Sequence, residues 1–401
     1  MPDLATPVPK LAPKLEPEPA SELAGEITLH GSVLVLLQFD VSEAIRLDKL
    51  RELIRAGTVE QPAVKHPAPG YVRYQRPPVV EPLGTLTLES GEQLQGEIKY
   101  YDYGVLSVVF ELAFTGGWGK LTGLASRWVW DVDFAAQATE IVRSRLERAT
   151  AALVKPYTKE WLSEDYLIFH IREITGAEIT GSGITGSEMG GSPTVADLIH
   201  RCGPRIAQVV RGDTGHLAES ECNEVLQSRI SYYANDLAVI GWNAAFIYDS
   251  TSGAEMAIQL LEYANSQLLE FRHYDDLLTE ELESVYTLLD EGTGIFARWR
   301  LARSATRLHT VLLDVAELTE HADNAIKFLS DMFSARLYKL AASKVGVPDY
   351  KDLVTQKVRN AEELYRFMVD QFNQSRAFFL ELTVVIILVI ELVYLFRGRP
   401  F

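Results

Sequence analysis

The apolar positions change rhythm near the middle of the chain. In the first part they form short β-branched runs. "EITLHGSVLVLLQFD" predicts a buried strand over about 27–39, and "LGTLTLES" predicts another that ends at the Ser90-Gly91 turn. "GEIKYYDYGVLSVVFELAF" alternates from Ile98 to Phe114, and "EDYLIFHIREI" reads as a further strand. Two segments have helical spacing. One follows Ser42, with Ile45, Leu50, Leu53 and Ile54 on one side and Gly57 as the stop; the other runs from Phe134 to Val154. The proline-studded piece from Gln61 to Pro82 reads as a long loop holding one short strand, "YVRYQ". The order β-α-β-β-α-β predicts an α+β protein with a ferredoxin-like α/β head over 25–175. A Gly/Ser-rich linker at 176–193 and a second mixed segment at 194–250 follow. In that segment "NDLAVIGWNAAFIYD" fits a strand pair and a buried helix equally well.

From Ala254 the spacing is helical. Ala257, Leu260, Ala264, Leu268, Phe271, Leu278, Leu282, Val285 and Leu289 form one stripe. Leu308, Val311, Val315, Leu318, Ala322, Ala325, Leu329, Met332 and Leu340 form a second, and Val354, Val358, Ala361, Leu364, Met368 and Phe372 a third. "EGTG" at 291–294 and "VGVPDY" at 345–350 interrupt them. This predicts a long antiparallel, coiled-coil-like helical bundle over 254–376. The acidic run "EFRHYDDLLTEELESVYTLLDE" is expected to be a solvated helix face. Nothing breaks the third helix before "FFLELTVVIILVIELVYLF", so 377–396 is expected to be a C-terminal transmembrane helix, about 20 residues or roughly 30 Å long. Glu381 and Glu391 lie within it, about 80° apart around a helix, with Arg376 at its entry. Ionisable groups at that depth are costly and tend to face protein, so these three residues are the candidate membrane and assembly positions.

Charge and composition narrow the functional classes. The formal net charge of −17 disfavours direct nucleic-acid binding. Two cysteines among 401 residues exclude a disulfide scaffold and fit a reducing compartment. Residues 1–24 are Pro-rich with alternating charge and read as a disordered tail rather than a signal or presequence.

Motifs for chemistry are weak. Gly181–Gly186 matches G-x-G-x-x-G, but Gly190, Gly191 and Pro193 interrupt the helix a dinucleotide site needs. His200, Cys202, His216 and Cys222 are too loosely spaced for a zinc knuckle and read better as structural. Asp131 and Asp133 fit either a divalent-ion pair or the N-cap of the helix at Phe134, and the cap is preferred. Trp118, Trp128 and Trp130 among glycines read as packing, or as a partner surface. No catalytic residue, cofactor or metal is expected from these patterns.

The stretch from Glu363 to Leu392 resembles the C-terminal signature of the required-for-meiotic-nuclear-division and Sad-interacting proteins, a domain-of-unknown-function family. The matching residues are Glu363, Leu364, Asn373, Arg376, Ala377, Leu380, Glu381 and Glu391, with Leu382 where the family usually has Trp. "YDYGVLSVVF" and "VPDY" are similar to two further family segments. The resemblance implies a non-enzymatic, membrane-anchored protein that self-associates and recruits a protein partner, with support or tethering of the translation machinery as the associated role. A bacterial relative anchored in the inner membrane, with its bulk in the cytoplasm, suits the chain better than a mitochondrial one. The alternative is a nucleotide- or metal-responsive enzyme or switch on the head, using Asp131, Asp133 or the Gly-rich loop.

Overall fold

Strand β1 (Thr28–Asp40) is apolar at most positions and buried over nearly its whole length, so it must be covered on both faces. Leu29, Val33, Val35, Leu37 and Phe39 enter one core, while Leu34 and Leu36 enter a second on the opposite side. The alternation follows from the period-two geometry of a strand. In the computed structural model, residues 27–54, 57–58, 78–88, 90–158, 160–176, 193–290, 303–316 and 332–397 are described, without the side chains of 57–58, 288–290 and 371–380. The expected N-terminal tail, the strand "YVRYQ", the Gly/Ser linker with its G-x-G-x-x-G motif, and the break at 291–294 lie outside the described residues.

After β1 come β2 (Ser42–Ile45), α1 (Leu47–Ile54), β3 (Gly57–Thr58), β4 (Val79–Thr87), β5 (Gln93–Tyr100) and β6 (Val105–Gly116). Next are α2 (Trp118–Trp130), α3 (Phe134–Ala149), β7 (Leu153–Pro156) and β8 (Ser163–Thr175). The middle of the chain supplies α4 (Val195–Arg211), α5 (Glu219–Gln227), β9 (Arg229–Ile230), β10 (Leu237–Ile240) and β11 (Ala244–Tyr248). Four helices follow: α6 (Thr251–Asp290), α7, described at 303–316, α8 (Met332–Val345) and α9 (Val347–Phe396).

The strands form a nine-stranded sheet in the order β3-β4-β5-β6-β1-β8-β11-β10-β9, with β2 and β7 paired separately. β1 is antiparallel to both neighbours, β6 and β8. The β8–β11 pair is parallel. This corrects the ferredoxin-like expectation, in which helical crossovers would return the chain parallel to an earlier strand. Instead β4, β5 and β6 form a meander. The expected single strand from Ile98 to Phe114 is two strands, because Gly104 turns the chain at φ 96°. A Cβ there would lie 1.7 Å from the Ser42 carbonyl oxygen, so the turn requires glycine. The segment after Ser42 is a short strand before α1 rather than one helix. α2 was not foreseen.

Helices cover both faces of the sheet. One core joins α1–α5 to β1, β6, β8 and β11 through Trp118, Trp128, Phe134, Val142, Leu198 and Ile206. The other places α6–α9 against Leu34, Leu36, Val109, Tyr166 and Ile168. The expected antiparallel, coiled-coil-like bundle following the head is therefore corrected to a helical layer laid on the sheet, because the second apolar face of β1 and β8 needs cover. The stripe from Ala257 to Val285 makes that contact and is buried at each described position. The acidic run is not a wholly solvated face either: Glu281 is buried and ion-paired with Arg307 at 2.5 Å.

The terminal expectation is also corrected. Among the described residues, no helix is long and apolar enough to cross a membrane. α9 is 50 residues long, but its first half is amphipathic, burying Val347, Val354, Ala361 and Met368. Its exposed apolar part, 381–396, carries two carboxylates, Glu381 and Glu391, and an ionisable group at membrane depth is costly. The transmembrane helix, the tail anchor and the membrane location therefore lack structural support.

Candidate functional site

The polar ends of β1 are the chemically dense part of the molecule. Past Leu36 the same strand face carries Gln38 and Asp40, both buried. α6 meets them with Glu262, Ser266, Glu270 and His273, spaced three and four apart on one helix side. Gln38 Nε2 donates to the Glu262 carbonyl oxygen at 2.8 Å. Lys99 on β5 reaches Glu262 Oε2 at 2.9 Å. Burial alone would lower the Lys99 pKa, but Glu262 and then Glu97 outweigh it, and the ammonium is held above its ordinary value. Tyr103 and Ser266 share a hydrogen bond of 3.1 Å. Farther along, Tyr338 of α8 donates to Gln267 Oε1, and Arg272 pairs with Glu164 of β8.

Asp40 and Glu270 form a buried carboxyl pair at one end of this seam. Burial pushes both pKa values well above the carboxylate range, and the Asp40 charge raises Glu270 further. His273 Nδ1 stands 3.2 Å from Asp40 Oδ2. Yet neither Asp40 oxygen has a hydrogen-bond partner among the described residues, and Glu270 Oε1 also lacks one. Tyr157 stacks on the His273 ring at 4.6 Å, and Tyr274 meets that ring edge-on. Burial raises both tyrosine pKa values, with Asp40, Glu43 and Glu270 adding to the effect and Asp314 of α7 adding to it at Tyr274. Burial in each other's field disposes these carboxyls to stay protonated where an exposed one would be ionised. Neither of the two described cavities opens on it. One, about 40 Å³, lies among Ile247, Met256 and Leu337; the other, about 330 Å³, is a groove between β6 and α2 beside Phe114 and Arg127.

The residues singled out from sequence do not converge. Asp133 caps α3, accepting from the Ala136 amide at 2.9 Å, and Asp131 ends α2. Cys202 and Cys222 are buried, whereas His216 is exposed. Among the described residues, no group of three His, Cys, Asp or Glu side chains could hold a metal ion. Trp118 and Trp128 are core residues, but Trp130 is exposed. Glu381 and Glu391 are exposed on α9, and the Arg376 side chain lies outside the described residues. Sequence reasoning missed the seam. Its one signal was the polar pair Gln38 and Asp40 at the end of an otherwise apolar strand.

Residues 30–255 match the family model described as the uncharacterized protein MJ0711, N-terminal domain. The chain belongs to this family. The matched span runs from β1 to the first turn of α6, so it takes in the described sheet and the helical layer of α1–α5. A curated relative is the uncharacterized protein MJ0711 of Methanocaldococcus jannaschii, 21% identical over 188 residues. That match covers 47% of this chain and 58% of the relative, so the chain spans just over half the length of the protein it matches. No solved structure matches the chain. The seam thus joins the family unit to the helices that follow it.

Two predictions test the seam. Lys99→Met strands Glu262 as a buried unpaired charge and should cost about 3–5 kcal/mol in chemical denaturation, with much of the loss recovered by adding Glu262→Met. For the carboxyl pair, the folded state holds protons more tightly than the unfolded one. Its contribution is therefore complete below the ordinary carboxylate range, near pH 4, and is lost as pH rises through the elevated folded values. Asp40→Asn should then stabilise the protein at pH 8 by on the order of 2 kcal/mol. That gain should vanish toward pH 4 in thermal melts, and a gain independent of pH would contradict the paired carboxyls.

Proposed function

We propose that the protein is a non-enzymatic scaffold that self-associates through the end of α9 and recruits a protein partner through its sheet-bearing head. The observation that carries this reading is the exposure of α9 over 381–396. Ile386, Ile387, Leu388 and Val389 fill one helical turn, and each is about half exposed, so no described part of this chain covers any side of the helix. A soluble monomer rarely leaves an apolar surface of this extent open. Copies of α9 packed side by side would cover it, with closed symmetry limiting growth. Glu381 and Glu391 would then lie within the contact. A polar residue in an apolar helix seam sets register and copy number at some cost in stability.

The seam supports this reading mechanically. α6 is bonded to the sheet through Gln38 and Lys99, and α9 is tied to α6 through Lys357, which reaches Asp275 Oδ1 at 2.6 Å. Association at α9 would therefore hold several heads in fixed relation. Support of the translation machinery, implied by the resemblance at Glu363–Leu392, is the proposed setting.

Sedimentation of the full chain should show a discrete multimer. Replacing Ile387 and Val389 with Asp should dissociate it at least tenfold more readily, and Glu391→Leu should change its copy number or stability. A wild-type monomer, or a Glu391→Leu protein of unchanged mass and stability, would defeat the reading. Co-sedimentation of the multimer with ribosomes tests the setting separately.

A further inference from the structure

Two tryptophans stand open to solvent at one end of the family unit. Trp130, the last residue of α2, is 65% exposed, and Trp242, in the turn between β10 and β11, is 67% exposed. Trp is a large apolar side chain that folding normally covers over most of its surface. The C-terminus of α4 brings the two together. Trp130 Nε1 donates to the Gly212 carbonyl oxygen at 3.0 Å. Gly212 itself sits against Val129, in a left-handed conformation at φ 65° that closes α4. Two residues earlier, Val210 packs on Gly241, where a Cβ would lie 2.5 Å from Val210 Cγ1. Trp242 follows directly. The two indoles therefore flank one helix terminus.

The surroundings are negative. Asp131 and Asp133 follow Trp130, Asp213 follows Gly212, and all three are exposed. Asp165 lies on the same side, because the Leu167 amide donates to the Asn243 carbonyl oxygen at 2.9 Å and lines up β8 with the Trp242 turn. Asp165 keeps solvent access, yet the protein packed around it raises its pKa, and the Asp133 charge adds to this. The end of α4 adds the partial negative charge of its last carbonyls. The nearby cations are already engaged. Arg211 pairs with Glu221 at 2.6 Å and Glu224 at 3.0 Å, and Arg127, one turn before Trp130, pairs with Glu92.

We infer that Trp130 and Trp242 form a docking surface for a cationic, arginine-rich segment of a partner protein. A guanidinium stacks on an indole face through cation–π attraction while its N–H groups reach carboxylates, so indoles ringed by Asp suit arginine better than lysine. Exposed tryptophan is also the residue type most enriched at the energetic centre of interfaces. Nucleic acid could stack on the same rings, but Asp131, Asp133, Asp165 and Asp213 would repel its phosphates. The surface names the partner chemistry of the scaffold reading and rests on that reading for its biological use. Its binding test does not depend on self-association.

The test is fluorescence anisotropy of a dye-labelled Arg/Gly-repeat peptide titrated with the full chain. Matched peptides with Lys or citrulline in place of Arg, and a single-stranded RNA oligonucleotide, serve as comparisons. The Arg peptide should bind tightest, the citrulline peptide and RNA at least tenfold more weakly. Trp242→Ala and Trp130→Ala should each weaken the Arg peptide about tenfold, and Asp131→Asn with Asp165→Asn should flatten the salt dependence. Trp130→Ala removes the bond to Gly212, so Trp242→Ala, checked by circular dichroism, is the decisive variant. Unchanged affinity in a folded Trp242→Ala protein would show diffuse attraction to an acidic chain and overturn the inference. So would RNA binding as tightly as the Arg peptide. Loss of peptide binding with the multimer intact would separate this surface from the assembly at α9.

Discussion

A central strand that is apolar on both faces has to be covered twice, and most of the architecture follows from that requirement. β1 sends alternate side chains into two separate cores, and β8 does the same beside it. Burial of this kind is the largest favourable contribution to folding, and neither face of the strand pair can be left in water. The first cover comes from α1–α5 within the family unit, and the second from α6 and the helices after it. α6 is thus a structural half of the sheet domain, although it begins where the family match ends.

The second cover differs from the first in carrying charge. Lys99, Glu262, Asp40, Glu270 and His273 all lie between sheet and helix. A wholly apolar seam would be at least as stable, because desolvating charges offsets what their pairing contributes. What charges add is register. An apolar stripe on α6 tolerates sliding by a turn, whereas the Glu262 carboxylate meets Lys99 in one alignment only. That alignment fixes where α6 ends and therefore where α9, lying along it, leaves the domain.

Among the described residues, two surfaces stand out as open after these demands are met. α9 presents apolar residues on all sides beyond the last helix it packs against, and the α2–α4 corner presents tryptophans among carboxylates. They lie on opposite helical layers and differ in character. On the proposed reading, one would take like helices and the other a cationic chain, so assembly and recruitment would not compete for the same surface.

Much of this was written in local pattern. The stripe from Ala257 to Val285, the cap at Asp133, the stop before Val347 and the burial of β1 depend on spacing within a few residues, which secondary structure converts directly into a buried face. Sequence left "NDLAVIGWNAAFIYD" open, and the hairpin of β10 and β11 was decided by a parallel partner, β8. It did not show α2, whose Gly119 and Gly123 weaken helical propensity and whose helix is held by packing of Trp118 and Trp128. The meander and the helical layer on the sheet were likewise beyond it. Lys99 and Glu262 are 163 positions apart, and Trp130 and Gly212 are 82 apart. Periodicity shows which side of an element is apolar. Which element that side meets, and which charges then face each other, depends on long-range packing that only the folded chain decides.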